Sequence, residues 1–145
     1  MKILKIIGIA AGVAVAGLAG LAIFNPGNAA ETSPEHAETN LRTRRYRTSL
    51  SSFLSETEKL IPTLTKYGQS WRFVSSEIGE NAVVIKAEVP VVFFTDDLTI
   101  KAESKDGETI VNVRSHSRVG KSDLGENRRH VVQILRALDE KFAGN

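Results

Sequence analysis

Residues 98–117 read LTIKAESKDGETIVNVRSHS, and the predicted fold is built outward from them. Every second residue from Leu98 to Ala102 is apolar and the residues between are polar, which is typical of a strand with one buried and one wet face. Asp106-Gly107 then favours a tight turn between two strands. We therefore predict a β-hairpin whose strands cover Leu98–Ser104 and Thr109–Ser117.

A first hairpin is predicted upstream of this one. Trp71–Ile78 and Ala82–Val89 are rich in β-branched and aromatic residues, and Gly79-Glu80-Asn81 separates them. The apolar run Val91–Phe94, which joins the two hairpins, is more than strand alternation requires. This run is either buried across the sheet edge or exposed as a loop that contacts lipid or a hydrophobic ligand.

Amphipathic helices flank the four strands. Apolar residues recur at helical spacing over Ser49–Tyr67 and again over Asp123–Phe142. Pro62 cannot donate a backbone hydrogen bond, so the first helix is expected to kink there or to end near Leu60. A short extra strand within Leu41–Arg47 is only weakly indicated.

The order of helix, four strands and helix predicts the α+β class. Each amphipathic element must bury its apolar face against another element. The expected architecture is therefore a two-layer sandwich, in which a four-stranded antiparallel sheet carries two helices on one face. Residues 41–145 are predicted to form this single α+β domain, which has a usual size for one core.

The first thirty residues have the pattern of a membrane-targeting segment. Lys2 and Lys5 precede the uncharged apolar run Ile6–Phe24, which as a helix of roughly 28 Å is long enough to cross a bilayer. Lysines before the run and none directly after it predict an N-terminus inside and a domain outside. Residues 1–24 are therefore expected to be a transmembrane anchor or a signal segment. Residues 25–40 are polar with Pro and Gly, and are expected to be a linker.

Two locations remain open at this point. An uncleaved N-terminal helix gives a single-pass protein of the bacterial cytoplasmic membrane, with that membrane as its partner and the domain in the periplasm. Cleavage after Gly27-Asn28-Ala29, where small residues follow the helix breaker Pro26, gives a soluble periplasmic protein instead. The run is longer than the usual signal core of about 7 to 15 residues, which favours the anchor.

Charge and cysteine content exclude several classes of protein. The chain has 19 Lys and Arg residues, and when Lys2 and Lys5 are set aside with the leading segment, 17 basic residues remain against 17 acidic ones. Without a basic excess, no nucleic-acid partner is expected. The absence of cysteine removes disulfides, thiolate nucleophiles and cysteine metal sites, and no cofactor is predicted.

Polar and charged residues are concentrated before the last helix, where residues 113–130 read VRSHSRVGKSDLGENRRH. Arg114, His116 and Arg118 alternate along a strand and are expected on one face. The chain then turns at Gly120 into a helix whose first N–H groups attract anions. We predict a basic corner that binds an anionic ligand through Arg114, His116, Arg118, Lys121, Ser122, Asp123, Asn127 and Arg128.

Another interpretation of the corner is purely structural. Asp123 and Glu126 can supply the negative charge themselves by pairing with the arginines, which would lock the strand to the helix. A phosphate-binding P-loop is excluded because that motif needs glycine where Ser115 stands. His116 and His130 lack a characteristic ligand spacing, so no metal site is predicted, and no catalytic residue is assigned.

The same run resembles the signature of a known family. VRSHSRVGKSDLGENRRH is similar to the R-S-x-S-R-x-G-x-S-D-x-G-x-N-R run of the uncharacterised family called domain of unknown function 1499, and Phe94-Thr95-Asp96-Asp97 resembles the segment before it. The resemblance covers Arg44 to Leu138 and implies a membrane-associated bacterial or plastid-type domain without an assigned reaction. Many relatives carry an N-C-V-S-S-like segment, whose role cannot be carried over to a chain without cysteine. By position the resemblance transfers Arg114, Ser115, Ser117, Arg118, Gly120, Ser122, Asp123, Gly125, Asn127 and Arg128.

Three functional hypotheses follow. The first is a non-enzymatic envelope module whose basic corner binds an anionic or amphiphilic ligand or a partner protein. The alternative is an enzyme acting on an anionic envelope substrate, with His116 as acid or base and Asp123 orienting it. The third is a structural assembly factor that uses Val91–Phe94 as its contact.

Overall fold

A computed structural model describes residues 28–120 and 123–142, and the predicted anchor or signal segment lies outside these residues. The strands are β1 Ala29–Glu31, β2 Arg44–Tyr46, β3 Thr65–Lys66, β4 Gln69–Ser70, β5 Arg72–Ile78, β6 Ala82–Val91, β7 Phe94–Lys105 and β8 Glu108–Ser117. The helices are α1 Leu50–Leu60 and α2 Glu126–Phe142, with 3₁₀ turns at Thr39–Leu41 and Ile61–Thr63. In the described part of the chain, no helix is long and apolar enough to cross a membrane.

The predicted α+β class and both hairpins are confirmed, whereas the prediction of four strands is wrong. The main sheet has six strands in the order β1-β8-β7-β6-β5, with β2 also paired to β8. β1 and β2 cover the same edge of β8 one after the other. A strand of three residues places at most two side chains on one face, so it leaves no periodic pattern in the sequence. The weakly indicated strand within Leu41–Arg47 is β2.

The segment predicted to be a linker contains β1. This strand pairs antiparallel with residues 114–116 of β8, and the Ser117 N–H donates to the carbonyl of Asn28 (2.8 Å). An edge strand is held by its backbone groups, so polar composition does not prevent its pairing. Residues 29–31 of the predicted linker thus contribute a strand to the main sheet. Three residues, 25–27, lie between the apolar run and Asn28 in the sequence.

Local chemistry sets the ends of both helices. Ser49 Oγ accepts a backbone hydrogen bond of 3.1 Å and caps the start of α1. This helix ends at Leu60, which confirms the effect predicted for Pro62. α2 begins at Glu126 rather than Asp123, because the two residues before it have positive φ angles of 52° and 82°.

One core lies between the sheet and both helices. Alternate residues of the sheet point into it, namely Val83, Ile85, Ala87, Val89, Leu98, Ile100, Ala102, Val111 and Val113. α2 adds the stripe Val131, Ile134, Leu135, Leu138 and Phe142. At one end, Phe53 of α1 packs between Tyr46 and Phe142, with ring centroids 6.3 Å and 5.3 Å away.

The opposite face of the sheet carries neither helix and is called the helix-free face. Its side chains alternate with the core residues and are mainly polar. They include Lys86, Glu88, Asp97, Thr99, Lys101, Asn112, Arg114 and His116.

The aromatic core gives a stability prediction with a matched control. Phe53→Ala should lower the free energy of unfolding by about 3 to 5 kcal/mol, because it removes a fully buried ring. Phe93→Ala removes the same group from a position that is 92 % exposed, and should change it by at most about 0.5 kcal/mol. Urea denaturation of both variants measures the two values. Equal losses would contradict the burial described here.

Candidate functional site

A hydrogen-bonded cluster between β8 and α2, called the inner network, consists of Ser115, Ser117, Asp123 and Asn127. Ser115 Oγ donates to Asn127 Oδ1 (2.6 Å), and Asn127 Nδ2 donates to Ser117 Oγ (2.8 Å) and to the Asp123 carboxylate. Asn127 Nδ2 also lies 3.0 Å from the carbonyl oxygen of Asn28, so its two N–H groups are shared among three acceptors. One buried amide thus joins the last strand, the last helix and the start of the fold.

Asp123 occupies the place where an external anion was expected. Its carboxylate accepts hydrogen bonds from the N–H groups of Gly125 (2.8 Å) and Asn127 (2.9 Å). The chain's own negative charge therefore satisfies donors at the start of α2. The structural interpretation of the corner expected Asp123 to pair with arginines, whereas its carboxylate bonds to these N–H groups and to the Asn127 amide. Asp123 and Asn127 serve the joint between strand and helix.

A buried histidine adjoins the inner network. His130 Nδ1 lies 3.4 Å from both Ser115 Oγ and Asp96 Oδ2, and its Nε2 lies 3.3 Å from Glu126 Oε2. Trp71 packs edge-on against the imidazole. Serine, histidine and carboxylate can serve nucleophilic catalysis when a substrate reaches them. Ser115 and His130 are both fully buried, so this cluster is sealed.

Burial controls the titration of this cluster. It raises the pKa of Asp96 to about 6, although a hydrogen bond from Ser117 acts in the opposite direction. It also lowers the pKa of His130 to about 4, against the attraction of Glu126. The sequence analysis missed the cluster, although His130 stands one helical turn before Ile134 on the apolar stripe. No group of three or more His, Asp or Glu side chains within residues 28–120 and 123–142 is arranged to hold a metal.

On the helix-free face, a row of charged side chains crosses four strands. Arg72, Glu88, Asp97 and His116 are successive Cα partners on β5, β6, β7 and β8. Arg118 joins them from the end of β8, with its Nε 2.9 Å from Asp97 Oδ2 and its NH2 bonded to Glu88. Arg72 NH2 lies 2.9 Å from the other oxygen of Glu88. Both carboxylates of the row, Glu88 and Asp97, are thus paired with arginines, and the charge of Arg118 is balanced by theirs.

The charges at the start of α2 are paired too. Arg128 Nε donates to Glu38 Oε2 (2.8 Å). Glu126 lies 3.0 Å from Arg129 and 3.6 Å from Lys66. Among the described residues, Asp123 and Glu126 do not form the predicted ion pairs with Arg114, Arg118 or Arg128, because these arginines and Glu126 have other partners. Glu38 and Lys66 are far from α2 in sequence, so spacing alone does not show them.

Arg114 is the arginine of the corner whose charge stays available. In the described part of the chain no carboxylate lies within 4.0 Å of its guanidinium, and its NH1 lies 3.3 Å from His116 Nδ1. Burial and the charge of Arg114 lower the pKa of His116. The carboxylate nearest His116 is Asp97 at 3.7 Å. Asp123, predicted to orient this histidine, instead belongs to the inner network on the other side of the sheet.

Arg114 lines a small recess on the helix-free face. The recess has a volume of about 120 Å³, and its other lining residues are Glu31, Thr99, Lys101, Asn112 and Val113. The hydroxyls of Thr32 and Thr43 donate to Asn112 Oδ1 (2.9 Å and 2.6 Å). These bonds fix the amide of Asn112 and leave its N–H groups without a partner among the described residues.

A larger recess of about 430 Å³ continues from the small one. The two share Glu31, Lys101 and Asn112, and the larger adds Pro34, Val84 and Ile110. The combined surface is called the groove below. Its Arg114 end is rich in hydrogen-bond donors. Its far end has the apolar side chains of Pro34, Val84 and Ile110, together with Thr32, Ser33 and Glu103.

Val91–Phe94, for which the sequence left burial and exposure open, forms the exposed turn between β6 and β7. The exposed fractions are 56 % for Val92, 92 % for Phe93 and 58 % for Phe94. Val92 also has a φ of 51°, a left-handed conformation that is strained for a β-branched residue. Neither burial nor backbone preference in this domain accounts for these residues.

The eight predicted ligand residues therefore separate into four groups. Asp123 and Asn127 belong to the inner network, and Arg118 and Arg128 are neutralised by acids. Lys121 and Ser122 lie outside the described residues. Arg114 and His116 remain together on the helix-free face, where Arg114 lines the groove.

Comparison with known proteins gives a family and no function. A family model described as protein of unknown function (DUF1499) matches residues 24–138. This match covers most of the chain and includes both the inner network and the groove. No curated protein and no solved structure matches the chain.

The buried titrating pair makes stability depend on pH in a defined way. The pKa of Asp96 is raised from 3.8 to about 6, so its contribution is full below pH 3.8 and is lost as pH rises through 6. The pKa of His130 is lowered from 6.5 to about 4, so its contribution is present above pH 6.5 and is lost as pH falls through 4. The two effects oppose each other. The variant Asp96→Asn keeps only the effect of His130. Its free energy of unfolding should therefore rise between pH 4 and 6.5 more than that of wild type, and the difference should be at most about 3 kcal/mol.

Chemical denaturation at several pH values measures this difference. Asp106→Asn, at the exposed turn between β7 and β8, is the matched control and should run parallel to wild type. Parallel curves for wild type and Asp96→Asn would contradict the burial assigned to Asp96.

Proposed function

We propose that this chain, which belongs to the DUF1499 family of proteins of unknown function, is a non-enzymatic binding module held at the periplasmic side of the bacterial cytoplasmic membrane. Its ligand is an anionic amphiphile that binds in the groove on the helix-free face. The observation that carries the proposal is Arg114, a half-buried guanidinium that lines a recess and has no carboxylate partner among the described residues.

The Arg114 end of the groove suits an anionic group. Arg114 and Lys101 supply two positive charges, and the fixed amide of Asn112 supplies N–H donors. Thr99 adds a hydroxyl, while Glu31 is the one acid in the lining of the small recess. Charge-assisted hydrogen bonds of this kind favour phosphate or carboxylate groups.

The far end of the groove suits an apolar group. Val84, Ile110 and Pro34 line it beyond the shared residues Lys101 and Asn112. A ligand with its charge at Arg114 would therefore place apolar atoms against these side chains, where their removal from water is favourable. The order of donors and apolar residues supports an amphiphile over a small inorganic ion.

The start of the fold supports the anchored location. Cleavage before Ala30 would remove Asn28, whose carbonyl accepts hydrogen bonds from Ser117 N (2.8 Å) and Asn127 Nδ2 (3.0 Å). It would also remove Ala29 from β1. Cleavage would thus remove one acceptor from Asn127 Nδ2 and one from Ser117 N, each hydrogen bond being worth about 1 kcal/mol, and this loss favours the uncleaved anchor.

Binding of two soluble probes tests the groove. The full chain in nanodiscs of zwitterionic lipid is titrated with inorganic phosphate and with butyl phosphate, and its Tm is followed. Butyl phosphate should bind more tightly, because its alkyl chain reaches the apolar end. Arg114→Ala should weaken both probes about tenfold or more, as expected for the loss of a charge-assisted hydrogen bond.

Two further variants separate the parts of the site. Val84→Thr should remove only the advantage of butyl phosphate over phosphate, because it makes the apolar end more polar without placing a charge opposite Lys101. Arg136→Ala is the control, because this exposed arginine lines a separate basic recess of about 460 Å³ on α2. If Arg136→Ala abolishes binding and Arg114→Ala does not, the proposed site is wrong. An unchanged Tm with both probes would also overturn it.

A further inference from the structure

The turn between β6 and β7 lies at the same end of the sheet as the point where the chain enters the fold. Asp96, two residues after the turn, pairs with Ser117 on β8. The Ser117 N–H in turn donates to the carbonyl of Asn28. The turn between β6 and β7, the end of β8 and Asn28 therefore lie at the same end of the sheet.

Exposed apolar side chains are concentrated at this end. Val92, Phe93 and Phe94 occupy the turn, and Val119 follows β8 with 66 % of its surface exposed. These four residues are called the apolar tip. At the opposite end, the turns carry Glu80-Asn81 and Asp106-Gly107, and the large apolar side chain exposed there is Ile78, at 72 %. Between the two ends of the described sheet, the large exposed apolar side chains thus number four at the end where Asn28 lies and one at the other.

The strain in the apolar tip indicates that it has a role outside the fold. Val92 has a φ of 51° as the first residue of a two-residue turn, where the turn between β7 and β8 has Asp106 with a φ of 53°. Aspartate tolerates this left-handed conformation, whereas a β-branched residue is strained in it. Phe93 is almost completely exposed, so it gains nothing from the core. A strained, apolar and exposed turn is expected where another apolar phase covers it.

The length of chain before residue 28 identifies that phase. The apolar run ends at Phe24, and the four steps from Phe24 to Asn28 span at most about 14 Å when fully extended. If residues 6–24 cross the bilayer, the end of the sheet that holds Asn28 must lie close to the bilayer surface. The apolar tip shares that end, so it faces the lipid.

We propose that the apolar tip inserts into the outer surface of the bilayer and orients the domain with the end at Glu80 and Asp106 away from the membrane. The occupant is lipid, at the depth of headgroups and the first acyl carbons, to which interfacial apolar side chains sink by about 5 to 10 Å. This inference rests on the anchored location under the proposed function, and it is independent of ligand binding in the groove.

Fluorescent labelling tests the proposal directly, because the chain contains no cysteine. Val119→Cys places one environment-sensitive label at the apolar tip and keeps Phe93, and Glu80→Cys places the same label at the opposite end. The full chain is reconstituted in phosphatidylcholine and phosphatidylglycerol vesicles, with and without lipids that carry a quencher near the headgroup. The label at residue 119 should be quenched at least about twofold more than the label at residue 80.

A second substitution keeps the test falsifiable. Phe93→Ser in the Val119→Cys chain should reduce quenching to the level of the Glu80→Cys chain, whereas Phe93→Leu should preserve it. A label at residue 119 that is quenched no more than the one at residue 80, in a chain whose Tm is unchanged, would overturn the proposal. Quenching that appears only at high protein-to-lipid ratio would overturn it too, because it would indicate a second copy of the chain.

A negative result for membrane insertion can be told apart from a negative result for ligand binding in the groove. Arg114→Ala should leave the quenching at residue 119 unchanged. Phe93→Ser should leave butyl phosphate binding unchanged. If the chain binds butyl phosphate but its tip is not quenched, only the proposal that the apolar tip inserts into the bilayer is overturned.

Discussion

The side-chain amide of Asn127 joins β8, α2 and the residue before β1. It uses its oxygen on Ser115 and its nitrogen on Ser117, Asp123 and the Asn28 carbonyl. Because the amide is buried, each of these groups would lose a hydrogen-bond partner if the amide were removed. One residue therefore stabilises the joint between β8 and α2 and adds to the backbone pairing that holds β1.

That joint determines which charges remain for a ligand. Asp123 bonds to backbone N–H groups at the start of α2, so an anion is not needed there. Arg118 and Arg128 are paired with acids from other parts of the chain. Arg114 projects to the other face of β8, away from the inner network, and keeps its charge. Because neighbouring side chains of β8 point to opposite faces of the sheet, Ser115 is buried while Arg114 lines the groove.

The sequence predicted the elements that are long enough to show a period. The two hairpins, the end of α1 before Pro62 and the stripe on α2 were all visible in spacing and turn residues. β1 and β2 were not, because three residues cannot show a period and their pairing depends on the free edge of β8. Residues 113–130 stood out because polar and charged residues interrupt the regular apolar spacing of β8 and α2 there.

The partners of those residues could not be predicted from spacing. Glu38, Glu88 and Asp97 reach the corner through the path of the chain and the register of the sheet. The burial of His130 and Asp96 depends on the packing of Trp71 and α2 against the sheet. Sequence analysis therefore located the region and named its residues, while the division into a buried joint and an exposed groove required coordinates.

The most direct test of this account is the intact mass of the protein, expressed in a bacterium and isolated from its membranes. Because Asn28 and Ala29 belong to the sheet, the chain should keep them, and the uncleaved form should have the full mass of 15.8 kDa. A mature protein that begins at Ala30 would lack the Asn28 carbonyl to which Asn127 and Ser117 bond. That result would contradict the anchored location and the role given to the Asn28 carbonyl.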